Sequence, residues 1–164
     1  MPSEQRSRVL VIGFGNPGRL DDGLGPALAE EIEGLGLSDV TVDSNYQLTV
    51  EDSDAVKDHD VVIFVDASVD CKEPFEFYPI SPEAKTHFSS HFLAPEDVLG
   101  LAQDAFSAST KGYVLAIRGY EFNEFGERLS SRATTNLQEA TQFLIERIKT
   151  RTFDSEWDNH QQEN

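Results

Sequence analysis

RVLVIGFGNPGRLDDGLGPALAEEIEGL, Arg8 to Leu35, passes from an apolar run through a glycine loop and two adjacent carboxylates into a helical pattern. Arg8-Val9-Leu10-Val11-Ile12 is a short, near-continuous apolar run of the kind buried in a parallel sheet. Pro26 suits the first helical position, where its missing N–H is not needed. Leu24, Leu28, Ile32 and Leu35 recur at helical spacing and predict the face that packs on the sheet, leaving Glu30, Glu31 and Glu33 in water.

The loop carries two chemistries. Gly13-x-Gly15-x-x-Gly18 has dinucleotide-binding spacing, and Asp43, at the end of a second strand over Val40 to Val42, stands where a ribose-binding acid would. Against that reading, Asp21 and Asp22 fall beside the helix N-terminus, where a pyrophosphate would sit, and like charges repel unless a cation intervenes. The bland alternative is that both aspartates cap the helix and oppose its dipole, and one of the pair is expected to do only that.

Further along, Gly34 and Gly36 stop the first helix, and 43–48 reads as a loop at a strand's carboxyl end. Thr49 or Ser53 caps a short acidic helix running towards Lys57. Val61 to Val65 is an unbroken apolar strand that delivers Asp66, either into a binding crevice or as the cap of a turn with Ser68. Phe75 to Ile80 is a strand that Pro79 confines to an edge, and an antiparallel one fits there. A helix starts near Pro95 with Val98, Leu101, Ala102 and Ala105 as its apolar stripe; Tyr113 to Ile117 is the last core strand. Thr134 or Thr135, with Gln138 or Glu139, caps a final helix whose buried face is Leu137, Ala140, Leu144 and Ile148. The alternation predicts a three-layer α/β domain: a mostly parallel twisted sheet with helices on both faces and one antiparallel edge strand. Residues 1–7 read as a polar N-terminal tail, 8–150 as one domain, and 151–164 as a polar tail expected to be disordered, within which Trp157 is a candidate for docking.

The chain has 164 residues, enough for one core burying roughly 70% of the unfolded surface. Thirty acidic against thirteen basic residues give a net charge of −17, which argues against nucleic acid or an anionic membrane as partner. Cys71 is the only cysteine, so an intrachain disulfide, a multi-cysteine zinc site and an iron–sulfur cluster are excluded, and a cytoplasmic location is expected. The N-terminal apolar run has only the length of a strand, so neither a signal peptide nor a membrane span is expected.

Three candidate ligands remain. Asp22 follows the first strand, Asp66 the third, and His91 precedes a helix in a long loop that also holds His87. On a helix His87 and His91 would share a face, yet flanking prolines and serines favour a loop, and the glutamate of a zinc-peptidase helix is missing; His91 alone is the better ligand. Two carboxylates and an imidazole suit nickel or zinc with coordination positions left open.

GNPGRLDDGLG, VVIFVDAS and SSHFLAPEDVL, in that order and at these separations, resemble the segments of the hydrogenase maturation endopeptidases over about Arg8 to Lys149. The resemblance implies a peptidase that removes the C-terminal extension of a nickel–iron hydrogenase large-subunit precursor once nickel has been inserted. It places the metal ligands and catalytic groups at Asp22, Asp66 and His91, although some members carry glutamate where Asp22 stands. The implied partner is the nickel-loaded precursor, with nickel arriving on the substrate and zinc or another divalent ion able to replace it in purified protein. No Gly-x-Ser-x-Gly elbow is present and Cys71 has no evident histidine partner, in keeping with a non-standard peptidase. The competing readings are a Rossmann-like dinucleotide oxidoreductase and a non-catalytic nickel-binding chaperone.

Overall fold

The computed structural model describes residues 6–83 and 93–154. In chain order they form β1 (Val9–Phe14), α1 (Leu24–Gly34), β2 (Val40–Asn45), α2 (Val50–Val56), β3 (Val61–Ser68), β4 (Phe75–Ile80), α3 (Pro95–Phe106), β5 (Lys111–Arg118) and α4 (Ser131–Thr150). The five strands make one sheet in the order β2-β1-β3-β5-β4. All pairings are parallel except β4 against β5, so the strand bearing Pro79 lies antiparallel at an edge, as its missing donor requires.

Side chains alternate across the sheet and divide the core in two. Val9, Val11, Val61, Ile63, Val65, Leu115 and Ile117 point to the face covered by α1 and α4; Leu10, Ile12, Val62, Phe64, Val114 and Ala116 meet α2 and α3 on the other. The predicted three-layer α/β architecture is therefore the observed one. From β1 the chain steps to β2 on one side and, after α2, to β3 on the other. Open α/β sheets bind ligands outside the carboxyl ends of the strands at such a reversal.

Several boundaries differ from the sequence expectation. A 3-10 turn, Leu20–Gly23, runs straight into α1, so Pro26 is the third helical residue rather than the first, still within the turn that needs no internal donor. Leu24, Leu28 and Ile32 are buried, whereas Leu35 at the end of the helix is half exposed. The buried stripe of α3 is Val98, Leu99 and Ala102; Ala105 faces solvent. Ser130, not Thr134 or Thr135, caps α4 by accepting from the Ala133 N–H at 3.3 Å. Thr49 caps α2, its N–H donating to Asp52 at 2.8 Å.

Beyond α4, Arg151 donates to the Ser7 and Ser38 carbonyls, each at 3.0 Å, and Phe153 is buried with its ring 5.7 Å from that of Tyr113. The Tyr113 hydroxyl donates to Asp154, and both burial and that carboxylate push its pKa up. Trp157 and the rest of 155–164 lie outside the described residues.

At Gly25, α1 meets the sheet with no side chain between. A Cβ on Gly25 would stand 2.4 Å from the Val65 carbonyl oxygen and 2.6 Å from that of Phe14. Gly25→Ala is expected to cost about 3 kcal/mol in a urea titration, because backbone on two strands must move. Gly34→Ala on the same helix meets nothing within 4 Å and is expected to gain about 0.5 kcal/mol.

Candidate functional site

The glycine loop after β1 folds back on the 3-10 turn. Gly15 has φ +141°, and a Cβ there would lie 2.1 Å from the Asp22 carbonyl oxygen, so a side chain is excluded on both counts. The loop's donors are already committed. Gly15 N–H donates to the Asn45 carbonyl at 3.0 Å, Asn16 N–H to the Asp22 carboxylate at 2.9 Å, Gly18 N–H to the Asn16 side chain at 2.9 Å, and Arg19 N–H to the Asn16 carbonyl at 3.0 Å. A dinucleotide loop must turn such N–H groups towards a pyrophosphate. Here an internal carboxylate and carbonyls accept them, which removes the basis of the dinucleotide reading. Asp43, its proposed ribose ligand, sits on β2 and acts on Asp52, whose pKa is raised by burial and then by that neighbouring charge.

The adjacent aspartates have separate tasks. Asp21 is fully buried and accepts four hydrogen bonds: from the N–H groups of Tyr120, Glu121 and Ser130 at 2.8, 3.0 and 2.8 Å, and from the Ser130 hydroxyl at 2.7 Å. Burial alone would raise its pKa; the donors of Ser130, Glu121 and Tyr120 outweigh that and hold the carboxyl below its usual range. Its partners lie 99 to 109 residues away, so nothing local in the sequence announces this clamp. Asp22, in the 3-10 turn beyond β1, is partly exposed and accepts from the Asn16 N–H.

Asp66 ends the apolar run of β3, which pairs with β1 through Gly13 and Val65. It is partly buried, and its pKa is pushed up to about 7, first by burial and further by the charge of Asp22; the Ala67 N–H, donating at 2.8 Å, only partly offsets this. The turn after it is capped by Ser68, whose hydroxyl accepts from the Cys71 N–H at 3.0 Å, so Asp66 is not the turn cap. Asp22 and Asp66 thus converge at the reversal between β1 and β3, close enough to repel. A pair of this kind, one member reluctant to ionise alone, fits a divalent cation that would cancel both the repulsion and the desolvation cost. His91, the third sequence candidate, and His87 lie outside the described residues; among those described, no three His, Cys, Asp or Glu side chains gather as a metal site.

Other polar groups end the neighbouring strands. Asn45, at the carboxyl end of β2, donates to Asp52 at 3.1 Å, and Arg118, at the end of β5, donates to the Cys71 carbonyl at 2.7 Å. Cys71 is buried and its thiol pKa is raised by that burial, with Sγ 3.6 Å from the Ala116 carbonyl oxygen it donates to; a thiolate nucleophile is the last thing this setting favours.

No protein-family model and no curated protein sequence matches the chain. Solved structures do. The NiFe hydrogenase maturation protease HycI from Thermococcus kodakarensis superposes with TM-score 0.68 at 22% identity, covering 89% of this chain and 95% of that one. The hydrogenase maturating endopeptidase HybD from Escherichia coli gives 0.70 at 19% identity over 88% and 94% of the two chains. The hydrogenase 2 maturation peptidase from a Thaumarchaeota archaeon gives 0.64 at 19% over 87% and 98%. The fold is that of the hydrogenase maturation proteases. Within this fold, one aspartate follows β1 and the other ends the apolar run of β3, the strands at the reversal next to β2, and the buried Asp21 fixes the turn that carries the first of them.

Asp21→Ala would strand three backbone donors and a hydroxyl inside the protein and is expected to cost about 3 kcal/mol in urea unfolding. Asp66 has the opposite effect on pH dependence. Its carboxyl ionises near pH ~3.9 in the unfolded chain and near 7 in the fold. Between those values the native state holds a proton that the unfolded state has lost, so this group lowers stability as pH rises through the window and adds nothing further above it. Asp66→Asn should therefore flatten the fall in urea midpoint between pH 4 and 7 relative to wild type.

Proposed function

We propose that this protein is an endopeptidase that removes the C-terminal extension of a nickel–iron hydrogenase large-subunit precursor after nickel insertion. The observation that carries the reading is the convergence of Asp22 and Asp66 at the carboxyl ends of β1 and β3, with the charge of one raising the pKa of the other. The names of the solved structures that share the fold support it, being maturation proteases and endopeptidases of hydrogenases.

Nickel enters as part of the substrate. In this reading Asp22, Asp66 and His91 grip the ion already seated in the precursor, and the grip brings the scissile region to the crevice. As the positive charge arrives it lowers the pKa of Asp66, which releases its proton to solvent. Water or a carboxylate attacks the polarised peptide carbonyl, and hydrolysis leaves a new C-terminal carboxylate on the large subunit and a released peptide with a free amine. Chemistry of this sort is aspartate-dependent and independent of Cys71. A metal site built for a visiting ion also accepts zinc or another divalent ion in its place. The single cysteine and the net charge of −17 suit a cytoplasmic protein that works on another polypeptide. Among the described residues no helix is long and apolar enough to cross a membrane.

The test is mass spectrometry of a cognate large-subunit precursor, with and without nickel, after incubation with the protein. Cleavage of a defined C-terminal peptide from the nickel-loaded form alone is expected. Asp22→Ala should lower processing by about a hundredfold or more, equivalent to about 2.7 kcal/mol at the transition state, with the fold retained. Cys71→Ala should leave the rate within about threefold. Binding of nickel without cleavage of either precursor would replace the peptidase by a chaperone.

A further inference from the structure

Arg118, the last residue of β5, uses only part of its guanidinium. Nη1 donates to the Cys71 carbonyl at 2.7 Å. Nε is buried without an acceptor, and among the described residues the side chain joins no ion pair. Nη1 is the nitrogen cis to Cδ, so its bond to Cys71 leaves the opposite edge, Nε with Nη2, free of protein acceptors among the described residues. That edge presents two parallel N–H groups, the fork that grips a carboxylate with two bonds. A buried charged donor without a partner is costly, so its persistence needs a reason.

The position supplies one. In the parallel pairing of β3 with β5, Asp66 lies opposite Ala116 and Ser68 opposite Arg118. Residues two apart on a strand share a face, so Asp66 and Arg118 both project to the side where Phe64 and Ala116 meet α2 and α3. One strand spacing and two residues of rise set their Cα atoms about 8 Å apart. Asp66 accepts from the Ala67 N–H and not from Arg118. The guanidinium is held in place, with Cζ 5.4 Å from the centre of the Tyr120 ring and Nη1 tied to Cys71.

Neighbouring cations are already matched. Arg128 lies 3.7 Å from the Glu121 carboxylate, and Arg132 pairs with Glu73. Glu73 also feels the charge of Arg118, yet its hydrogen bonds come from the Tyr120 hydroxyl and Arg132. Arg118 thus keeps a fixed positive edge on the Asp66 side of the sheet.

We propose that the Nε–Nη2 edge of Arg118 is a carboxylate subsite, and that it holds the new C-terminal carboxylate which hydrolysis leaves on the large subunit. The proposal rests on the peptidase reading and deepens it by assigning the group that receives the cut end. The water oxygen bonds to the carbonyl carbon, and the C–N bond breaks. The nitrogen leaves with the bonding pair and both protons of the water, and the two oxygens left on carbon share the negative charge. A guanidinium attracts those oxygens more strongly than the neutral amide oxygen that precedes them, so the contact grows as the bond is cut.

The test follows the arginine Nε–H resonances of the 15N-labelled full chain during titration with N-acetylglycine, and with N-acetylglycinamide as the uncharged counterpart. The Arg118 resonance is assigned by its loss in Arg118→Lys. It should move saturably with the carboxylate, at a Kd of about 10 mM or tighter, and stay in place with the amide. The resonances of Arg128 and Arg132 should move less than about a third as far. An unmoved Arg118 resonance, an equal response to the amide, or equal shifts at all three arginines would overturn the proposal. In the precursor assay Arg118→Gln should lower kcat by about tenfold or more with KM within about threefold. Arg118→Lys, which keeps the charge without the paired donors, should recover only part of that loss. Wild type that cuts no precursor overturns the peptidase reading, with the titration still deciding whether the carboxylate subsite exists. Arg118→Gln that cuts at the wild-type kcat overturns the role of Arg118 alone.

Discussion

A buried carboxylate with four donors holds the working end of this protein together. Taking an unpaired charge out of water is prohibitive, so a residue like Asp21 persists only where hydrogen bonds replace its hydration, and here they come entirely from Tyr120, Glu121 and Ser130. The consequence is mechanical. The turn after β1 and the connection from β5 to α4 become one body, although they are far apart in sequence. Asp22 inherits its place from that lock. Ser130, pinned by Asp21 through both its N–H and hydroxyl, also starts α4 there, ahead of the threonines that local pattern favours.

The second constraint is the topology of the sheet. With β2 and β3 on opposite sides of β1, the loops after β1 and β3 part company and leave a crevice between them. Both aspartates face it. Gly25 lets α1 approach the Val65 and Phe14 carbonyls directly, so the positive end of the helix lies near the two acids. That dipole favours the Asp66 charge, while burial and the charge of Asp22 disfavour it. For Asp66 the unfavourable effects win, giving a carboxyl that is half protonated near neutrality and waits for a cation.

The glycine loop illustrates how one spacing serves two chemistries. Gly13-x-Gly15-x-x-Gly18 matches a phosphate-binding turn letter for letter. What differs is where the N–H groups point, and in this chain Asp22, the Asn16 side chain and two backbone carbonyls have taken them. The clue legible in sequence was the pair of acids four and five residues after Pro17, which places negative charge where a phosphate would need its absence.

Sequence by itself determined the layers, the strand pairing class and the acidic pair. Continuous apolar runs at Val9–Ile12 and Val61–Val65 have no wet face and demand a doubly covered sheet, and Pro79 forces its strand to an edge. Asp22 and Asp66 were legible because a carboxylate just beyond such a strand stands at the mouth of a crevice. Only the tertiary structure decided which of Asp21 and Asp22 is structural and where α4 begins. Those outcomes depend on donors supplied from about a hundred residues away. Local periodicity carries which face of an element is apolar, but the partner of a buried charge is chosen only when the chain has closed on itself.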